Sequence, residues 1–169
     1  SSPEALRRIQ IFNPQAKALL ILRNPLTASV SLYLQHRKGG LHEHASSFQQ
    51  AWNECENAQN RPFISNYRSL YKIGDQLASA SRIFGERLHV MLFDDLVNDG
   101  TSVYAGLLRF LGLQVDSLEQ LEKTNSSQLE NIESIVSPEL LDEMTDYFLP
   151  QIRLVSEFIG RDLGHWIAR

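Results

Sequence analysis

Hydrophobic residues in this chain follow two patterns, which are short, nearly continuous runs and longer stretches with a helical period. The run from Ala16 to Leu22 lies between Asn13-Pro14 and Asn24-Pro25, which predicts a strand buried on both faces. A second run, from Leu88 to Phe93, predicts another strand of this kind. The pattern therefore indicates two buried strands that are far apart along the chain.

Apolar residues recur at steps of three and four elsewhere in the chain, which predicts helices. The longest predicted helix is Pro138 to Ile159, and its apolar residues form one continuous stripe. The other predicted helices are Pro3 to Phe12, Pro25 to Arg37, Ser47 to Asn57, Asn66 to Phe84 and Ser102 to Leu111. Strands separated by helical crossovers favour an α/β fold with a parallel sheet. Because such sheets have about 5 to 6 strands, we expect the remaining strands to lie outside this sequence.

Composition limits the classes of protein that the chain can belong to. Its 169 residues, of which 43% are hydrophobic and 21% charged, predict a single globular domain over residues 1–169. The longest apolar run is far shorter than the roughly 20 residues that cross a bilayer, so we expect no membrane span. The lone Cys55 excludes an internal disulfide and permits a reducing compartment, and we expect a cytoplasmic location.

The charge balance of the chain is slightly acidic. Sixteen Lys and Arg against 20 Asp and Glu give a net charge of -4, which provides no long-range attraction for nucleic acid. We therefore expect no nucleic-acid partner, and any anion that binds must be held by a local group of residues.

One local group suited to an anion follows the first predicted strand. Asn24 is a favoured helix N-cap and Pro25 a favoured first helical residue, so Arg23 lies where a strand ends and a helix begins. In α/β sheets anions bind at such positions, and a guanidinium matches phosphate oxygens. Thr27 and Ser31 share a helix face with Asn24, so Ser31 can add a hydroxyl. The spacing predicts a phosphate site at Arg23 and Ser31, the alternative being a surface arginine and capping hydroxyls.

These residues also resemble a known family. Arg23-Asn24-Pro25, with Ser31 eight positions after the arginine, resembles the 3′-phosphate-binding motif of sulfotransferases that use 3′-phosphoadenosine 5′-phosphosulfate (PAPS). Further stretches resemble segments of that family in the same order, and they are Ser69-Leu70-Tyr71, His89 to Leu96, Leu108 to Leu113 and Phe158 to Trp166. The resemblance runs over nearly the whole chain, and its C-terminus is similar to bacterial and glycan-type members.

The resemblance implies a fold, an activity and a cofactor site. The implied fold is a three-layer P-loop-like α/β fold whose parallel sheet is flanked by helices. The implied activity is sulfuryl transfer from PAPS to a hydroxyl or amine of a small-molecule or glycan acceptor, leaving 3′-phosphoadenosine 5′-phosphate (PAP). Arg23 and Ser31 would hold the 3′-phosphate and Tyr71 would lie against the adenine. From the residues alone, Tyr71 is a partly buried helix residue.

The chain departs from the family pattern in several places. Ala28 stands where many members have a second arginine, and the stretch from Glu122 to Glu130 lacks the glycine and most of the basic residues of a cofactor-closing loop. No Gly or Lys precedes Ala16, so nothing there resembles the family's 5′-phosphosulfate loop. We expect the sequence to be the C-terminal part of a longer domain, incomplete at the N-terminus, and we assign no catalytic residue within it.

Two other functions remain open from the sequence. The chain could be a non-catalytic interaction module that binds a partner through the helix from Pro138 to Ile159, or a nucleotide kinase of related fold that prefers ATP. His42 and His44 are expected in an exposed loop, because no cysteine or regular third ligand accompanies them, and we predict no metal site. The helical spacing of Phe48, Trp52 and Cys55 predicts core positions.

Overall fold

The chain folds into a mostly helical α/β structure. The computed structural model describes residues 3–40, 44–56, 63–115 and 132–167. The helices in this part are α1 (Pro3–Phe12), α2 (Pro25–Gly39), α3 (Phe48–Glu54), α4 (Tyr67–Leu70), α5 (Ile73–Phe84), α6 (Phe93–Leu111) and α7 (Pro138–Ile159). The strands are β1 (Ala18–Leu22) and β2 (Leu88–Leu92). The described residues form two compact units, one drawn from Ser1–Arg23 and Gln76–Ser127 and the other from Asn24–Asp75 and Gln128–Arg169.

The first unit contains the sheet. Strands β1 and β2 pair in parallel, as predicted, with Ala18 opposite Leu88 and Leu22 opposite Leu92. Leu22 and Leu92 are almost completely buried, which anchors the carboxyl ends of both strands. Helix α6 follows β2 without an intervening loop. The residues that come directly after the strands are therefore held by a buried, hydrogen-bonded frame.

Strand β1 differs from its prediction in length and in burial. It begins at Ala18 rather than Ala16, because the Ala16 carbonyl accepts a hydrogen bond of 3.0 Å from the Arg87 guanidinium instead of one from a strand. Leu19 and Ile21 are 44% and 48% exposed, whereas the prediction was burial on both faces. An apolar run indicates where a strand lies, but the elements that cover each face depend on tertiary structure.

The second unit is built around an aromatic core. Each of its central rings is at most 1% exposed, and these rings belong to Tyr33, Phe48, Trp52, Tyr67 and Phe148. Neighbouring ring centroids lie 5.4 to 6.2 Å apart, several of them edge to face, as aromatic pairs prefer. Phe48, Trp52 and the buried Cys55 therefore occupy core positions, which confirms the prediction for them.

Helix α7 has the bounds that the sequence predicts. Its apolar stripe, Leu140, Met144, Phe148, Ile152 and Val155, is buried. Ser137 caps the helix by accepting a hydrogen bond of 3.2 Å from the Leu140 N–H. No helix among the described residues is both long and apolar enough to cross a membrane.

The helix predicted from Asn66 to Phe84 is in fact two helices. The break falls at Tyr71, whose φ and ψ are -105° and 26°. Helix α5 then starts afresh, and the side-chain oxygen of Gln151, on α7, accepts a hydrogen bond of 3.0 Å from the Asp75 N–H. Because this cap comes from a residue far along the chain, the periodicity of the segment alone could not predict the break.

Helix α6 is longer than predicted. The prediction started it at Ser102, but it runs from Phe93 and includes a non-helical residue, Asp99, with φ -144° and ψ 66°. The Asp99 carboxylate accepts a hydrogen bond of 3.1 Å from the Ser102 N–H and so caps the second part of the helix. The predicted start therefore corresponds to an internal cap.

Candidate cofactor-binding site

Arg23 is the first residue after β1, and its neighbour in the first unit is an aromatic ring. The parallel register ends at the pair Leu22 and Leu92, so Arg23 and Phe93 are the next residues on the two adjacent strands. The Arg23 guanidinium carbon lies 4.8 Å from the centroid of the Phe93 ring, within the range of a cation–π contact. The strand pairing thus places a half-buried positive charge at the carboxyl end of the sheet.

The guanidinium of Arg23 has no carboxylate partner in residues 3–40, 44–56, 63–115 and 132–167, and no hydrogen-bond acceptor there. A contact with a ring face does not use the N–H groups, so all five donors stay available. A charged donor fork with these properties is suited to an anion of two or more oxygens. The local chemistry at Arg23 is therefore that of an anion-binding position.

Asn24 begins α2 as the sequence predicts, and its side chain is fully used in doing so. Its side-chain oxygen accepts a hydrogen bond of 2.9 Å from the Leu26 N–H, and its amide donates to the Trp166 carbonyl over 2.9 Å. The Thr27 hydroxyl donates to the Asn24 carbonyl over 3.2 Å. Asn24 and Thr27 are therefore capping residues, and Ser31 is the residue of this helix face for which an anion-binding hydroxyl was predicted.

Ser31 lies on α2 within the second unit and is partly buried. Its hydroxyl forms no hydrogen bond with the part of the chain that the structure describes, whereas the fully buried Ser29 hydroxyl donates to the Pro25 carbonyl over 2.5 Å. Ser29 therefore has a structural role, and the Ser31 hydroxyl remains available to a ligand. Ala28, where many relatives are expected to have arginine, is 3% exposed and packs in the core.

Tyr71 is a partly buried residue between α4 and α5, also in the second unit. It is not a residue of a continuous helix, as the periodicity of the segment predicted. Helix α4 before it is capped by Asn66, whose side chain accepts a hydrogen bond of 2.9 Å from the Ser69 N–H. Arg23 belongs to one unit and Ser31 and Tyr71 to the other, and their convergence on one ligand stays a prediction.

Comparison with known proteins identifies the family. Residues 2–138 match the sulfotransferase domain family, which is most of the chain. The chain belongs to this family.

A solved sulfotransferase structure has the same fold. The crystal structure of a sulfotransferase from Alicyclobacillus acidocaldarius is similar to this sulfotransferase domain with a TM-score of 0.80 at 26% sequence identity. The similarity covers 98% of the present chain and 63% of the Alicyclobacillus chain. No curated protein matches the sequence. These matches confirm the family that the motifs suggested, together with its α/β fold.

The histidines of the sulfotransferase domain at positions 89 and 165 pack against aromatic rings. His89 stacks on the Phe110 ring with centroids 4.9 Å apart, and His165 lies edge-on to Trp166. His44 is exposed, whereas His42 and the stretch from Glu122 to Glu130 lie outside the described residues. Among described residues, no three His, Cys, Asp or Glu side chains form a cluster that could hold a metal ion.

Asp94 and Asp95 occupy the first turn of α6, where negative charge is favourable next to the helix N-terminus. Their neighbour Phe93 was predicted only as the last residue of a strand, and its place beside Arg23 was missed. A usable signal existed, because Phe93 follows its strand as Arg23 follows the other.

Proposed function

We propose that this chain binds the 3′-phosphate and adenine of PAPS in a sulfotransferase that modifies a hydroxyl or amine acceptor. The observation that best supports this proposal concerns Arg23. Its half-buried guanidinium lies at a strand end and has no carboxylate partner among the described residues. Family membership supports the reaction class. A glycan or other small-molecule acceptor, the three-layer P-loop-like arrangement and a cytoplasmic location stay predictions.

Arg23 and Ser31 would share the 3′-phosphate. The guanidinium would donate two parallel hydrogen bonds to phosphate oxygens and offset their negative charge. A local positive charge is needed for this, because the chain has a net charge of -4 and does not attract an anion from a distance. The Ser31 hydroxyl would add a third donor. Both groups fit the ligand because neither is used by the described residues.

Tyr71 would contact the adenine through its ring. Its position between α4 and α5 gives the backbone a turn there, so its side chain is not part of a helix stripe. A partly buried aromatic ring can cover one face of a base and gain stacking energy.

The PAPS sulfuryl group would pass to the acceptor oxygen or nitrogen as its bond to the 5′-phosphate breaks and the acceptor loses a proton. The residues of this chain would contribute by holding the nucleotide at its far end. An anchored nucleotide reacts with a positioned acceptor in an effectively unimolecular step, which lowers the entropic barrier. The chain thereby supports the transfer without a catalytic residue of its own being assigned.

The two alternative functions can be weighed against the structure. The main apolar stripe of α7 is buried, so an interaction module would have to bind its partner through another face of this helix, where Leu154 and Phe158 are 44% and 50% exposed. The nucleotide kinase differs from the proposal in its ligand, because it should bind ATP in preference to PAP.

Calorimetric titration with PAP and with AMP, which lacks the 3′-phosphate, tests the proposal. We expect Arg23→Ala to weaken PAP binding at least about tenfold and to leave AMP binding unchanged. Arg82→Ala, which removes an exposed arginine of the same unit, is the charge-matched control and should bind PAP normally. Equal PAP affinity in both variants, or tighter binding of ATP than of PAP, would overturn the proposal.

A further inference from the structure

Phe93 lies where a ring can control the direction of the Arg23 side chain. We propose that Phe93 is a positioning residue that presents the Arg23 guanidinium to the 3′-phosphate, an inference that depends on the proposed function. It rests on the cation–π contact of 4.8 Å, which joins the two residues that follow the paired strands.

The strand frame holds the ring in place. Leu92, directly before Phe93, is 3% exposed and is paired with Leu22, which is 2% exposed. Neighbouring strands lie about 4.8 Å apart, so the register itself brings Arg23 and Phe93 side by side. Phe93 is 37% exposed, so packing of the core does not require its ring as it requires Leu92.

An aromatic ring positions an arginine without competing with its ligand. A carboxylate in the same place would neutralise the guanidinium and use the donors that a phosphate needs. The ring face attracts the cation and limits its rotamers, and it forms no conventional hydrogen bond with the N–H groups. Less conformational entropy is then lost when the anion binds, so the ring raises affinity for the 3′-phosphate specifically.

A double-mutant cycle with PAP and AMP as ligands tests the role of Phe93. We expect Phe93→Leu to weaken PAP binding about two- to fivefold and to leave AMP binding unchanged. Phe93→Tyr keeps the ring, so this variant should bind PAP with the affinity of the wild type. In the Arg23→Ala background, Phe93→Leu should change neither affinity, because the cation is gone. Tyr104→Leu is the matched control, since Tyr104 is on the same helix and is also 37% exposed.

The outcomes separate this inference from the proposed function. If Arg23→Ala weakens PAP binding and Phe93→Leu does not, the positioning role is wrong and the phosphate site stands. If Phe93→Leu weakens PAP and AMP equally, or acts equally in the Arg23→Ala background, its effect is general and the inference is also wrong. If Arg23→Ala itself has no effect, the proposed function fails first. Should Phe93→Leu not fold, Phe93→Met removes the ring at similar volume and gives the same readout.

Discussion

Several arginines in the described part of the chain lie against aromatic rings, and two of them, Arg68 and Arg23, differ in what else surrounds the guanidinium. Arg68, in the second unit, lies 4.5 Å from the Trp52 ring centroid and 5.4 Å from that of Tyr147. It also pairs with the Glu143 carboxylate over 2.7 Å and donates to the Trp52 carbonyl over 3.2 Å. Its charge and its donors are used within the protein, so its role is structural.

Arg23, in the first unit, lies against one aromatic ring and forms no ion pair within the described part of the chain. Phe93 contacts its guanidinium, and no acceptor within residues 3–40, 44–56, 63–115 and 132–167 uses its donors. The two arginines therefore differ in how much of the hydrogen-bonding capacity of the guanidinium is used within the described residues. An arginine with carboxylates around it joins helices, whereas one held only by a ring keeps its hydrogen-bonding capacity for a ligand.

The largest expected effect on stability is at Arg68. Arg68→Ala removes hydrogen bonds to Glu143 and to the Trp52 carbonyl and the contacts with two rings, so we expect the free energy of unfolding to fall by about 2 kcal/mol. The value is moderate because the Glu143 side chain is 46% exposed, which screens the ion pair. Urea titration followed by circular dichroism measures it.

The matched variant is Arg23→Ala. We expect it to change the free energy of unfolding by less than about 0.5 kcal/mol, since a single partly exposed cation–π contact is lost. If the two variants were destabilised equally, Arg23 would contribute to stability as Arg68 does, and the distinction between the two arginines would be wrong.

A smaller effect on stability is expected when alanine replaces either of two glycines that lie within helices. A Cβ atom at Gly74 would lie 2.8 Å from Leu154 Cβ and 2.9 Å from the Gln151 carbonyl oxygen, so α5 and α7 touch there. We expect Gly74→Ala to destabilise the chain by about 1–2 kcal/mol despite the better helix propensity of alanine. Thermal unfolding monitored by circular dichroism gives the comparison.

Gly106 is the control, because nothing lies within 4 Å of a Cβ atom there. Gly106→Ala should raise stability by up to about 1 kcal/mol. Shifts of the same sign in both variants would contradict the close packing of α5 on α7.

The smallest expected effect is a pH dependence at Asp99. Hydrogen bonds from the Ser102 hydroxyl and N–H hold the pKa of Asp99 below its ordinary value. A lowered pKa in the folded state adds stability that is present above the unfolded pKa of about 3.9 and is lost as pH falls through the folded pKa. We expect the Tm of the wild type to fall more steeply than that of Asp99→Asn between about pH 5 and about pH 3.

Ser102→Ala removes the side-chain donor and should flatten the same curve in part. Parallel Tm curves for all three proteins would mean that the cap inside α6 contributes nothing to acid stability.

Local signals in the sequence predicted those elements that depend on neighbouring residues. Helix α7 has its predicted bounds because Ser137, Pro138 and Gly160 are strong start and stop residues around a regular stripe. The start of α2 was predicted for the same reason, through Asn24 and Pro25. Arg23 could be singled out because strand, cap and helix succeed one another within a few residues.

The sequence by itself thus determined the strands, most helices and the position of one cation at a strand end. Tertiary structure decided the rest, which includes the break at Tyr71, after which Gln151 caps α5 at Asp75, and the approach of Phe93 to Arg23 through strand register. The physical reason is the separation along the sequence of the residues that each interaction joins. Periodicity and capping act over a few residues, whereas register, cross-chain caps and ring contacts join residues about 70 apart, and only the packed fold brings those together.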